Sequence, residues 1–105
     1  MKPEKETKKH RVTLLVQRGG PTDTSVEVYI SEAEDLIMEG YDIGAGPEAF
    51  YDKSDYEYVV TVKQMHKDEL LVRLIQHVFS ELKTPTSRFM QWLRDHDIPF
   101  EFDTW

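Results

Sequence analysis

The sequence predicts an α+β domain, an antiparallel sheet of about four strands with two helices packed on one face. Three observations predict it. Over residues 56–63, Tyr56, Tyr58, Val60 and Val62 alternate with Glu57, Val59, Thr61 and Lys63, the period of a half-buried strand. Over residues 67–82, Leu71, Leu74, Ile75, Val78 and Leu82 recur at steps of three and four, with Leu70 and Phe79 widening the stripe, as in an amphipathic helix. The strand-like stretches precede the helical ones, the order of an α+β chain.

Taken in order, residues 1–10 are rich in Lys and Glu, contain Pro3 and have no apolar side chain after Met1, so they read as a disordered basic tail ahead of a single domain over residues 11–105. Residues 11–18 form the first strand, with Val12, Leu14 and Val16 on one side and Leu15 on the other. Gly19, Gly20, Pro21 and Asp23 make a loop in which the Asp23 side chain can close a turn. Residues 25–30 return as a second strand, Val26, Val28 and Ile30 facing in and Glu27 and Tyr29 facing out.

Residues 31–39 admit two readings. Ser31 with Glu34 three residues on is a capping box that starts a helix. A helix there has only about two turns before Gly40, so a turn over 31–35 followed by a third strand from Leu36 to about Ile43 is favoured, with Gly40 marking a bulge or a close approach. Residues 44–55 connect it to the strand at 56–63. After the long helix, Thr84 and Pro85 restart a second one, Thr84 as cap and Pro85 at the first position, running to about His96 with Phe89, Trp92, Leu93 and His96 on one stripe. Pro99 stops it, and Ile98, Phe100 and Phe102 alternate as a short edge strand would.

With no cysteine, disulfides, thiolate chemistry and cysteine-based metal sites are excluded, which suits a reducing compartment. No apolar run approaches the roughly 18 residues of a membrane span, and the basic start lacks the apolar core of a signal peptide, so a cytoplasmic location is expected. The formal charge of −7 is unevenly spread: +4 over residues 1–20, −10 over 21–58 and −1 over 59–105. An acidic middle argues against nucleic-acid binding, which needs clustered Lys and Arg.

The run Asp35-Leu36-Ile37-Met38-Glu39-Gly40-Tyr41-Asp42-Ile43-Gly44, the Tyr56-Glu57-Tyr58 triplet and the Trp92-Leu93-Arg94-Asp95-His96-Asp97-Ile98-Pro99 run within residues 89–102 resemble a group of small bacterial proteins of unknown function. The likeness spans residues 35–102 on short motifs. It implies a strand at Leu36 and carries over no catalytic or binding residue.

Motifs that would carry chemistry are thin. Residues 44–49 match the dinucleotide pattern G-x-G-x-x-A, but a Rossmann unit needs a parallel strand and a long helix after the glycines, and Pro47 removes an N–H from the phosphate cradle. A plain Gly-Pro turn is the expected outcome. His10, His66, His77 and His96 lack metal-site spacing, and no serine sits in a nucleophile elbow, so neither metal nor cofactor nor catalytic residue is assigned. The loop acids Glu32, Glu34 and Asp35 lack calcium-loop spacing.

One feature remains, five aromatic rings within the acidic stretch. The expected binding residues are Tyr41, Asp42, Tyr51, Asp52, Asp55, Tyr56, Glu57 and Tyr58, an acidic-aromatic face for a basic protein partner. The leading function is a non-enzymatic interaction module of the adaptor, inhibitor or immunity type, monomeric or weakly homodimeric. The alternative is a small-molecule-binding or enzymatic domain with a pocket between sheet and helices, using His66, His77 or Tyr58.

Overall fold

Each alternating stretch is closed onto its predecessor by a short connection or returns antiparallel to it, so the strands pair in chain order. The computed structural model describes residues 7–20, 22–44 and 55–104. In it β1 (Lys9–Gln17), β2 (Thr22–Ile30), β3 (Leu36–Gly44) and β4 (Asp55–Val62) form one antiparallel sheet ordered β1-β2-β3-β4. A 3-10 turn, Gln64–His66, leads to helices α1 (Lys67–Phe79) and α2 (Pro85–Asp95). This is the expected α+β class. The chain divides into two compact units, Met1–Lys67 with the sheet and Asp68–Trp105 with the helices.

Register assigns the sheet's faces. One face carries the rows Ile30–Leu36–Val62, Val28–Met38–Val60 and Val26–Gly40–Tyr58, an almost wholly apolar surface. A Cβ placed on Gly40 would overlap the Tyr58 ring, so the glycine marks a close approach; β3 pairs without a bulge on either side. The aromatic ring thereby covers the bare backbone beside it, a pairing that pins register. The opposite face carries Tyr29–Ile37–Thr61, Glu27–Glu39–Val59 and Ser25–Tyr41–Glu57.

β1 departs from simple alternation. Its register shifts between Lys9 and Val12 and again between Thr13 and Leu15, and His10 has φ 55°. Val12 pairs with Val28 and Leu15 with Val26 on the apolar face, while Val16 pairs with Ser25 on the other. The expected grouping of Val12, Leu14 and Val16 is therefore corrected: a bulge adds one residue and exchanges the faces beyond it. Tyr29 is a second correction. It shares a side with Glu27 as expected, yet at 3% exposure it is among the most deeply buried side chains described. Lys8 Nζ lies 4.7 Å above its ring and the Tyr29 hydroxyl donates to Glu39 Oε2 at 3.0 Å, so Tyr29 is covered on this side.

The β1–β2 turn uses Gly19 at φ 88°, and the Gly19 N–H donates to Asp23 Oδ1 at 3.3 Å, the side-chain closure expected of Asp23. Between β2 and β3 the chain makes a turn and no helix. Glu34 N–H donates to the Ser31 carbonyl at 2.9 Å, Ser31 N–H to the Asp35 carbonyl at 2.9 Å, and Asp35 N–H to Ser31 Oγ at 3.2 Å. Ser31 thus spends its hydroxyl on closing the turn, and Glu34 sits at φ 67°. Asp35 in turn accepts the Gln64 N–H at 2.8 Å on Oδ1 and lies 3.4 Å from Lys63 Nζ through Oδ2. A carboxylate from the hairpin so satisfies an otherwise orphan donor at the start of the helical segment.

In the helical unit, Phe79 and Leu93 are buried, and the Phe79 and Phe89 rings meet edge-on with centroids 5.5 Å apart. Pro85 opens α2 as expected, but Thr84 makes no side-chain cap; only its carbonyl is used, by the Arg88 N–H at 3.0 Å. α2 ends in a Schellman arrangement: Asp97 at φ 55°, Ile98 N–H donating to the Leu93 carbonyl at 2.9 Å and Asp97 N–H to the Arg94 carbonyl at 3.1 Å. The expected edge strand after Pro99 does not form. The Ile98 amide is consumed by the helix end, Phe100 lies under the Arg94 guanidinium at 5.4 Å, and residues 98–104 have no regular structure.

Candidate cation-binding face

The site is set by a cross-strand clash of like charge. With Ile30 paired to Leu36, counting back places Glu27 directly opposite Glu39, a pairing that is destabilising unless neutralised. Lys8 neutralises it. Its Nζ is 3.3 Å from Glu27 Oε1 and 3.5 Å from Glu39 Oε2 while standing over the Tyr29 ring. Arg11 Nε adds a contact at 2.6 Å to Glu27 Oε2. In β1 it is Thr13 that pairs with Glu27, and Arg11, two residues earlier, reaches Glu27 with its side chain. Burial pushes the Glu27 carboxyl up, but the hydrogen bonds and charges of Arg11 and Lys8 outweigh it and hold the group below its ordinary value, hence ionised.

One row further, Tyr41 stands opposite both Ser25 and Glu57. Arg11, Thr13, Glu27, Glu39, Tyr41 and Glu57 line a hollow of about 450 Å³ on this face. Glu57 is exposed, and among the described residues it has no ion-pair partner. Carboxylates beside a phenol ring suit an ammonium or guanidinium group, through charge-assisted hydrogen bonds and ring contact.

The sheet divides the residues expected to bind. Tyr41 and Glu57 share the charged face. Asp42, Tyr56 and Tyr58 lie on the apolar one, where the Tyr58 hydroxyl donates to Asp42 Oδ1 at 3.4 Å and the Tyr56 and Tyr58 rings are 5.9 Å apart. Burial, and then the charge and hydrogen bond of Asp42, push the Tyr58 hydroxyl above its ordinary value. Asp55 pairs with Ile43 at the start of β4. Tyr51 and Asp52 lie outside the described residues, as does most of the G-x-G-x-x-A stretch. The antiparallel pairing of β3 removes the parallel strand that a dinucleotide turn requires.

Two of the loop acids, Glu34 and Asp35, have structural duties. Glu34 pairs with Lys9, which holds its carboxyl below the ordinary value, and Asp35 is held down chiefly by the Gln64 N–H. His66 lies in the 3-10 turn and His77 on α1 beside Arg73, Gln76, Ser80 and Glu81. His96 stacks on Trp92 at 4.0 Å, with Nδ1 2.7 Å from the Trp92 carbonyl. Among the described residues no three His, Asp or Glu side chains are placed to hold a metal, and no helix is long and apolar enough to cross a membrane.

Lys8, Arg11, Glu27, Tyr29 and Glu39 were not among the expected site residues. The signal for the last three was parity, since odd-numbered residues of β2 and β3 share a face once the hairpin closes at Ile30 and Leu36. The fold and site together define an α+β chain with a cation-holding sheet face. Compared with models of protein families, with curated proteins and with solved structures, the chain matches none.

Proposed function

We propose that the protein is a non-enzymatic interaction module that receives Lys or Arg side chains of a basic protein partner on the charged face of its sheet, at the Tyr41–Glu57 row. The observation that carries this reading is the seat of Lys8, an ammonium held by two carboxylates over a tyrosine ring. The adjacent row repeats the chemistry with Tyr41 and Glu57 beside the same Glu39. An adaptor or inhibitor working in a reducing compartment fits the cysteine-free composition.

A short Lys- and Arg-rich peptide, titrated at low and at high salt, tests the reading. Glu57→Lys weakens binding at least about tenfold, and added salt weakens binding to the wild type. Asp103→Lys makes the same charge change in the helical unit, outside the strands of the sheet, and serves as the reference. Equal losses from Glu57→Lys and Asp103→Lys would overturn the proposal.

A further inference from the structure

The sheet has two edges, and they are built differently. β1 carries two register shifts, a left-handed residue at His10 and three basic or imidazole side chains at Lys9, His10 and Arg11, devices that discourage a further strand. β4 has none of these. It pairs with β3 without interruption from Val62 to Asp55, contains neither Pro nor Lys nor Arg, and exposes Val59 and Val60 by 53% and 59%. Among the described residues no strand pairs with its outer edge.

We infer that β4 pairs with β4 of a second copy, antiparallel about a two-fold axis at Val59, to make an eight-stranded sheet. Such an axis is perpendicular to the sheet, so each residue meets one from the same face. With Val59 on the axis, Tyr58 meets Val60 and Tyr56 meets Val62 of the second copy, aromatic against β-branched side chains, the favourable cross-strand combination. Glu57 meets Thr61, a carboxylate beside a hydroxyl. No like charges face each other. Moving the axis to Tyr58 sets Glu57 against the apolar Val59 and loses the polar Glu57–Thr61 pair. The pairing stands independently of the proposed function, but it would put both cation-holding hollows on one face of one sheet, where a partner with two basic segments gains by avidity.

Sedimentation equilibrium over a micromolar-to-millimolar series, with Thr61 variants, tests the register. Thr61 is exposed and faces Ile37 within its own sheet, so its charge acts mainly across the axis. Thr61→Glu, opposing Glu57 twice per dimer, weakens association about fivefold, and Thr61→Lys strengthens it by a similar factor. As a second readout, Val59→Cys in this cysteine-free chain cross-links on oxidation, because residues on the axis lie within disulfide reach, whereas Val12→Cys on β1 does not. A chain monomeric throughout the series overturns the proposal. So does a dimer indifferent to the sign of the charge at residue 61, or equal cross-linking at residues 12 and 59.

Discussion

The two faces of the sheet come from the same four strands and differ in how they are covered. On the apolar face Val12, Met38 and Val60 remain exposed, whereas the charged face buries Tyr29 and Ile37 while leaving Val16 and Val59 at its flanks exposed. Count of apolar residues alone would rank them the other way. The charged face gains cover at Tyr29 because the Lys8 ammonium stands over its ring and satisfies the carboxylates beside it. Burial in a small sheet therefore depends on which side chains reach across a face as much as on which stand upon it.

The sharpest way to break the apolar face is at Gly40. Gly40→Val drives a branched side chain into the Tyr58 ring, costing roughly 1–3 kcal/mol and lowering Tm by the order of 10 °C in thermal melts. Adding Tyr58→Ala recovers part of the loss, since the two residues share one contact. A Gly40→Val protein that melts like the wild type would show that the close approach imposes nothing.

Acid separates the charged side from the apolar face next. Glu27, Glu34 and Asp35 each release their proton more readily folded than unfolded. Their stabilisation is complete above the unfolded-state carboxylate range, about pH 4 to 4.5, and is lost as pH falls through their lower folded values. Urea midpoints at neutral and acid pH should differ less for Glu27→Gln combined with Asp35→Asn than for the wild type. An equal drop in both would sink the assignment.

Smaller effects resolve the charged face itself. Tyr29→Phe removes the donor to Glu39 at 3.0 Å and costs about 1 kcal/mol, measurable by denaturant titration. Arg11→Ala costs at most about 0.5 kcal/mol in the same titration, because its side chain is largely exposed and Lys8 still holds Glu27.

Much of the fold was legible from local pattern. The alternation over residues 56–63 marks the strand that forms as Asp55–Val62, the period over 67–82 marks the helix that forms as Lys67–Phe79, and the short run before Gly40 favoured a turn and strand over a helix at Ser31. What escaped was set by single residues acting through register. Leu14 and Leu15 are both apolar, so nothing in composition marks the extra residue that exchanges the faces of β1. Asp97 adopts a left-handed conformation that a non-glycine residue does not advertise, and with it the chain after α2 leaves the strand pattern that Ile98, Phe100 and Phe102 suggest. For the site, alternation within one segment does not reveal the pairing between segments. Tyr41 and Asp42, adjacent in sequence, consequently fell to opposite faces, and Lys8 and Arg11 entered a network that pairs residues 16 to 31 positions apart.

The carboxylate of Asp35 gives the Gln64 amide an unusual standing. A donor in the opening turn of a helical segment ordinarily exchanges its hydrogen with solvent quickly, since no backbone acceptor precedes it. Here the acceptor is 29 residues away in the β2–β3 turn. Deuterium uptake at this one amide would therefore clock the opening of the hairpin and not the fraying of the helix, a spectroscopic gauge of sheet breathing read from a residue that no strand contains.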